Sequence, residues 1–406
     1  MNILFLTLLD FTSLSEHNIY SDLLREFSKH GHKLYIVSPM ERRKKRNTYI
    51  IKNENVTILK QRIMNIQKTN ILEKGISTII IQSIFLNGIK KYFSEITFDL
   101  VLYSTPPITF CKVVEYIKIR DNAVTYLLLK DIFPQNAVDI GMLSKRGLKG
   151  IVYKIFRNKE KELYAISDKI GCMSEANVKY ILKHNLEVSK EKVEICPNSI
   201  EIIDKSIDEK KRIQIRKKYE LPLDKIIFVY GGNLGKPQGI DHVVECLKTQ
   251  KNNDKVFFLI IGDGTEYKKI EKFIQKECQA NVRLIKRLSK EEYDIIVAAC
   301  DVGMIFLDYR FTIPNFPSRL LSYMQAKLPV LAVTDKNTDI GEIIVNNGFG
   351  WWCESKNTDD FSNVIFDILS TNIFLKGVNA YKCLIEEYST QLSYKIIVNH
   401  CGERFR

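Results

Sequence analysis

The segment FVYGGNLGKPQGID, residues 228–241, joins an apolar strand to a glycine-rich turn. The strand is led in by Ile226 and Ile227, and the run through Phe228, Val229 and Tyr230 holds nothing that needs water. Such a run, rich in β-branched residues, reads as a buried strand. Gly231, Gly232, Gly235 and Gly239 follow, so the backbone there is free to take positive φ and to approach a ligand with no Cβ between them. From Ile240 the apolar positions Val243, Val244 and Leu247 have helical spacing. The turn therefore lies between the carboxyl end of a strand and the start of a helix, where unpaired N–H groups and the helix dipole favour an anion. Lys236 adds a mobile positive charge. The pattern predicts a diphosphate cradle; a glycine-rich turn with no ligand is the alternative.

The same strand–turn–helix step recurs on the carboxyl side. Residues 256–264, VFFLIIGDG, form a strand ending in Gly262, Asp263 and Gly264 ahead of a helix carrying Tyr267, Ile270 and Phe273. Residues 281–307 give a strand, a helix capped by Ser289 with Glu292 three residues on, and another strand. Arg287 and Leu288 fall at the strand end, where a flat base could be held. In residues 309–333, Pro314 and Pro317 stiffen a loop through Asn315, Ser318 caps a helix running through Ser322, and Arg319 stands at its start. A guanidinium there opposes the helix dipole unless an anion lies near it. Trp351 and Trp352 are expected in a packing turn near the sheet edge, and the tail from residue 359 is helical by period.

The amino-terminal half has the same rhythm. Residues 2–9 are a strand, 18–30 a helix with Ile19, Leu23, Leu24 and Phe27 on one face, and 33–39 the next strand. This order predicts a doubly wound parallel sheet, which binds ligands beyond the carboxyl ends of its strands. Residues 13–18 should then line a cleft, with Ser15, Glu16, His17 and Asn18 as candidate acceptor contacts. Two further strands, 98–107 and 124–135, deliver Ser104 and then Lys130 and Asp131 to the same edge. Polar groups ending an apolar strand are exposed to a cleft rather than stranded in a core, though Asp131 has the simpler option of capping the next helix. Ser174 is a further expected cap. Residues 201–220 read as a connector, which sets the domains at 1–205 and 206–406.

A chain of 406 residues with 45% hydrophobic and 27% charged residues is expected to be globular with two cores. Its net charge of +13 points to an acidic partner. Nucleic acid is disfavoured, because no RNA-binding aromatic signature, zinc-finger spacing or basic heptad helix occurs. Two basic features remain. ERRKKR, residues 41–46, is either a solvated loop or a contact for anionic lipid headgroups. The helix expected over residues 145–164 sets Leu148, Val152, Ile155, Phe156 and Leu163 among Lys145, Arg146, Lys149, Lys154, Arg157, Lys159 and Lys161. Such a helix covers a core or lies in a membrane interface. The nine cysteines are scattered, with no C-x-x-C pair, and the six histidines do not cluster, so buried thiols in a reducing cytoplasm and no metal are expected. No signal peptide is expected at residues 1–9, and the apolar stretch 76–89 is too interrupted by polar residues to span a bilayer.

Taken together, GGNLGKPQGID, IIGDG, RLSKEEYDIIVAACDVGM and NFPSRLLSYMQAKLPVLAV, in that order, resemble the family 4 glycosyltransferases, over nearly the whole chain. NIYSDLLREFSKHGHKLYIVSP and LLKDIFPQNAVDIGML look most like the branch of bacterial N-acetyl-L-fucosamine transferases of capsule and O-antigen synthesis. The resemblance implies a GT-B architecture, two Rossmann-like domains facing a central cleft. It also implies backbone binding of a donor diphosphate at Gly232 to Gly235, base contacts near Arg287 and Leu288, and cleft roles for Asp131 and Ser318. The sequence departs from the family in three places. Asn233 and Gln238 stand where the family has an arginine and a lysine in its glycine turn. Pro314 and Ser322 stand where it has paired glutamates. Lys130 replaces a histidine before the cleft aspartate.

The expectation is a retaining, metal-independent transferase without cofactor, peripheral on the inner face of the cell membrane, taking a UDP-sugar to a lipid-linked saccharide. Gly231, Gly232, Asn233, Gly235, Lys236, Gln238, Gly262, Arg287, Leu288, Asn315, Ser318, Arg319 and Ser322 are its candidate donor contacts. Lys130, Asp131, Lys236 and Arg319 are its candidate catalytic groups. A sugar-nucleotide epimerase of the same fold and a basic nucleic-acid binder are the rivals.

Overall fold

Apolar strands alternating with helices build two separate sheets. The computed structural model describes residues 1–65, 71–277 and 280–402, with the backbone alone for 71–79. The chain divides into two compact units, Met1–Glu201 together with the chain from Thr390 onward, and Ile202–Ser389.

The first unit holds β1 (Asn2–Leu6), β2 (Lys33–Glu41), β3 (Tyr49–Asn53), β4 (Val56–Ile63), β5 (Leu100–Ser104), β6 (Val124–Leu129), β7 (Lys169–Cys172) and β8 (Val193–Ile195). Their order is β3-β4-β2-β1-β5-β6-β7-β8, parallel throughout apart from the β3–β4 hairpin. Its helices are α1 (Ile19–Lys29), α2 (Ile71–Tyr92), α3 (Cys111–Asp121), α4 (Gln135–Asp139), α5 (Gly147–Ile166) and α6 (Glu175–His184). Strands covered on both faces carry near-continuous apolar runs, which is why β1, β5 and β6 are legible in the sequence. The hairpin is not: it follows the basic run, and its two-residue turn, Glu54 and Asn55, has no glycine. Within the basic run, Arg42–Lys44 makes one 3₁₀ turn.

The second unit contains α7 (Glu209–Lys218), β9 (Ile226–Asn233), α8 (Ile240–Thr249), β10 (Val256–Asp263), α9 (Tyr267–Glu277), β11 (Val282–Ile285), α10 (Lys290–Ala298), β12 (Val302–Phe306), α11 (Arg319–Gln325), β13 (Val330–Thr334), α12 (Ile340–Asn346), β14 (Gly350–Glu354), α13 (Thr358–Leu369) and α14 (Ile373–Glu387). The all-parallel sheet runs β11-β10-β9-β12-β13-β14. Strand β9 is its switch point, with β10 on one side and β12 on the other, and a ligand crevice forms beyond such a strand's carboxyl end. The glycine turn is at that end. Phe228, Tyr230, Phe258, Ile260, Met304, Phe306 and Phe361 fill the core beneath it.

Several sequence expectations are corrected here. The chain divides after Glu201, close to the expected boundary near residue 205, but the last helix, α15 (Thr390–Asn399), returns to the first unit instead of closing the second. The connector is anchored to the second unit by a buried ion pair, Arg216 Nη2 to Asp301 Oδ2 at 2.6 Å, and Asp301 also accepts from the Ile227 N–H. Trp351 and Trp352 lie in edge strand β14, not in a turn, and Trp352 Nε1 donates to Thr334 Oγ1. Ser174 holds the cap position of α6, but its hydroxyl donates to the Asn177 side chain. Ser289 caps α10 as expected. Among the described residues the eight cysteines are free and buried, with Cys278 lying outside them, and no helix is long and apolar enough to cross a membrane.

Candidate functional site

The glycine turn opens from β9 with Gly232 at φ 136°. A Cβ on Gly232 would lie 3.1 Å from Arg319 Nη2, and one on Gly262 would lie 2.0 Å from the Gly232 carbonyl oxygen. The ends of β9 and β10 thus approach at backbone distance, in register Gly262 with Gly232. Tyr323 Oη accepts from the Gly231 N–H at 3.2 Å and donates to the Met304 carbonyl at 3.1 Å, tying the turn's root to β12.

Asn233 and Gln238, the two departures in the turn, belong together. Gln238 is buried, and its Oε1 accepts from Asn233 Nδ2 at 3.3 Å and from the Gly235 N–H at 3.1 Å. Gln238 is therefore a brace inside the turn rather than a free donor contact. A neutral pair closes the loop where the family places two cations. The cation comes from elsewhere in the fold. The Arg319 guanidinium lies over the Tyr230 ring, 4.3 Å from its centroid, and its Nη1 is buried with no hydrogen-bond partner. Asn315 Nδ2 is likewise buried without a partner, while the Asn315 carbonyl is held by Thr338 Oγ1. Two donors from one loop and helix start are thus left unmatched, a costly arrangement that an anionic ligand would repair.

The remaining donor candidates divide. Lys236 is exposed on the 3₁₀ turn Lys236–Gln238. Exposed Arg287 and half-buried Leu288 follow β11, at the same sheet edge. Ser318 is exposed and makes no side-chain cap bond to α11, contrary to expectation; Ser322 is half-buried within that helix. Asp308, the acid preceding this loop, is held by Arg310 through two bonds of 2.8 and 2.7 Å. Sequence reasoning missed Tyr293 of α10, whose ring lies against Gly231, and Tyr323 of α11, which bonds the Gly231 N–H. Nothing in their spacing marks them, because they reach the turn from helices distant in sequence; Tyr230 precedes the turn directly, and only its use as the platform for Arg319 was not anticipated.

On the first unit, Asp131 does not cap a helix: α4 begins four residues later. Asn136 Nδ2 donates to both its carboxylate oxygens, at 2.7 and 2.8 Å, and burial raises its pKa to about 6. Lys130 Nζ donates to the Cys196 carbonyl at 3.3 Å, and burial lowers its pKa. Thr105 Oγ1 accepts from the N–H groups of both residues and fixes the strand end. Ser104 is buried near Tyr20, whose hydroxyl pKa is raised by burial and further by the Asp131 charge; Tyr20 was not anticipated. Of the loop candidates, Asn18 is the N-cap of α1, accepting from the Tyr20 and Ser21 N–H groups. Arg25 braces the loop through the Glu16 carbonyl and His17 Nδ1, while Ser15 pairs with Ser13. Among the described residues no three His, Cys, Asp or Glu side chains gather as a metal-binding group.

The apolar face of α5 divides: Leu163 is buried in the core and Phe156 is half-buried against Phe133, whereas Leu148, Val152 and Ile155, with Ile151 beside them, are 83, 41, 51 and 57% exposed. Lys145, Arg146, Lys149 and Lys154 are exposed beside it. Arg157 is not part of that cationic rim, because it is bonded to Glu160 and to the Asn185 side chain.

Residues 211–382 match the family Glycosyl transferases group 1. The chain is 27% identical over 334 residues to "Probable glycosyltransferase WbjE" of Pseudomonas aeruginosa, covering 80% of this chain and 79% of that one. It is 22% identical over 227 residues, 54% of each chain, to "Putative colanic acid biosynthesis glycosyl transferase WcaI" of Escherichia coli K12. In structure it is similar to sucrose-phosphate synthase of Thermosynechococcus elongatus, with TM-score 0.77, 14% identity and coverage of 100% and 99%. It is also similar to Anabaena HepE solved in complex with UDP-glucose, with TM-score 0.70, 12% identity and coverage of 98% and 99%. The fold of two parallel-sheet α/β domains is the GT-B fold. None of these relatives is an epimerase, and the epimerase alternative gains no support.

Proposed function

We propose that this chain moves a sugar from a UDP-sugar to a lipid-linked saccharide in polysaccharide synthesis, with retention at the anomeric carbon. The observation that carries the reading is Arg319: a guanidinium held over Tyr230 against Gly232, with Nη1 buried and unmatched. Donors fixed in advance where charge develops are the strongest general means of stabilising a leaving group. As the bond from the anomeric carbon to the diphosphate breaks, Arg319, Lys236 and the N–H groups of the turn hold the charge released on the phosphate oxygens, with no metal and no cofactor. On the first unit Asp131, with a pKa of about 6, is ionised at neutral pH and suited to take or share the acceptor hydroxyl proton.

UDP is the nucleotide bound in the HepE structure, and colanic acid, a polysaccharide, stands in the name of WcaI. N-acetyl-L-fucosamine is the sugar that the resemblance brings. The exposed apolar stripe and lysines of α5 suit an anionic membrane surface as the place where a lipid-linked acceptor is met.

Calorimetric titration with UDP, GDP and ADP, without added metal, tests the reading. UDP is expected to bind in the micromolar range. Lys236→Ala and Arg319→Ala are each expected to lower turnover by about tenfold or more in a folded protein. Binding of none of the three nucleotides, or near-normal turnover in both variants, would remove the diphosphate assignment.

A further inference from the structure

The first unit contains a cavity of about 330 Å³ at the carboxyl edge of its sheet, beside β2 and β4. That volume is within the range of small-molecule sites, roughly 300–1,000 Å³. Lys60, in the middle of β4, is buried there; its Nζ donates to Asp10, to Ser38 Oγ at 2.8 Å and to the Pro39 carbonyl at 3.3 Å. Lys44 reaches the other oxygen of the same Asp10 carboxylate. Arg46 lines the cavity as well, with Thr12 and Tyr49 offering hydroxyls. Two cations share the Asp10 carboxylate and Arg46 lines the same cavity, so one carboxylate and three cations leave the lining a surplus of two positive charges. A structural ion pair for the buried lysine needs Asp10 alone. Lys44 and Arg46 go beyond that need, and both come from the basic run 42–46 that the glycine-turn chemistry leaves unused.

We propose that this cavity binds the phosphoryl group of a lipid, with Lys44 and Arg46 as its principal contacts and the Lys60–Asp10 pair holding Lys44 in place. Charge-assisted bonds from lysine and arginine to phosphate oxygens are the strong class of hydrogen bond, and a cavity of this kind fixes a phosphate at one point. Two sources share the chemistry: the diphosphate linking a saccharide to its lipid carrier, and the headgroup of a membrane phospholipid. Only the first source rests on the acceptor reading above.

The test titrates inorganic pyrophosphate into the full chain already saturated with UDP, so that the glycine turn is occupied. Pyrophosphate is expected to bind, about tenfold or more weakly in the Lys44→Gln/Arg46→Gln variant and unchanged in Lys236→Gln. Both altered residues are exposed, so the variant is expected to fold. Phosphatidylglycerol vesicles that displace pyrophosphate would identify the headgroup as source; vesicles that leave it bound would identify the linking diphosphate. No binding in the presence of UDP, or equal binding by the double variant, would overturn the site. If UDP fails to bind while pyrophosphate binding still depends on Lys44 and Arg46, the cavity stands and the donor reading falls.

Discussion

A buried donor without a partner costs about 1–3 kcal/mol, and more when charged, so Arg319 carries its energetic penalty in the unliganded chain. The geometry makes Gly232→Ala informative. The added Cβ would enter at 3.1 Å from the guanidinium, at a φ of 136° that side-chain-bearing residues rarely adopt. UDP affinity is expected to fall by about tenfold or more while the thermal transition stays cooperative. Unchanged affinity on calorimetry would separate the guanidinium from the nucleotide. A second residue, Glu160, tests burial itself. Burial raises its pKa from 4.5 to about 7, outweighing the Arg157 charge and the Tyr164 hydrogen bond. The folded chain therefore binds a proton there that the unfolded chain releases. The stabilisation is complete below 4.5 and is lost as pH rises through about 7. Glu160→Gln should reduce the drop in urea midpoint between pH 5 and pH 8; an identical drop in both proteins would contradict the assignment. At this scale the sequence shows residue types and local conformation. The glycines are legible because the turn is contiguous, and Arg319 because it offends a helix dipole. The Asn233–Gln238 brace and the Tyr230 ring under Arg319 are contacts made by folding, and neither has a periodic signature.

Helix α5 shows what periodicity does and does not convey. Leu148, Ile151, Val152 and Ile155 follow the spacing of one helix face, which fixes the helix and its amphipathic character. The same spacing serves a helix that covers a core and one that lies on a membrane, and exposure tells them apart. A contiguous apolar stripe bordered by Lys145, Arg146, Lys149 and Lys154 matches an anionic bilayer in both components, acyl chain and phosphate. Sedimentation with phosphatidylglycerol vesicles is expected to weaken with salt and with Lys145→Gln/Lys149→Gln/Lys154→Gln, and to be lost in Leu148→Ser/Ile151→Ser even at low ionic strength. Binding indifferent to both variants would place the contact elsewhere. Arg157 is the element-scale lesson in the other direction. Its position in the run suggests a phosphate contact, yet it is committed to Glu160 and Asn185, and its substitution should act on stability.

At the scale of the whole molecule, two α/β sheets were legible because each is a sequence of contiguous apolar strands separated by helical periods. The path of the tail was not, since an amphipathic helix declares an apolar face without declaring which core receives it. Helix α15 gives that face to the first unit. Tyr394 stacks on His30 with ring centroids 4.1 Å apart, meets Phe27 edge-on at 4.9 Å, and hydrogen-bonds His32 Nε2 at 2.9 Å. Ile397 and Cys401 are buried in the same core as Phe5, Phe27 and Leu102. Beyond the helix, His400 Nε2 bonds the Glu194 carboxylate at 2.7 Å, and Tyr126 Oη donates to that carboxylate. A side chain such as Ile397 contributes about 1.5–3 kcal/mol on burial, so the segment from Thr390 is a large part of a domain's marginal stability. Removing it should therefore lower hydrogen-exchange protection in α1 and β8 and leave β9 and β10 as they were, with UDP binding retained. Protection lost equally in both units would mean that the tail stabilises the molecule as one cooperative block; protection lost in neither would mean that its packing adds nothing.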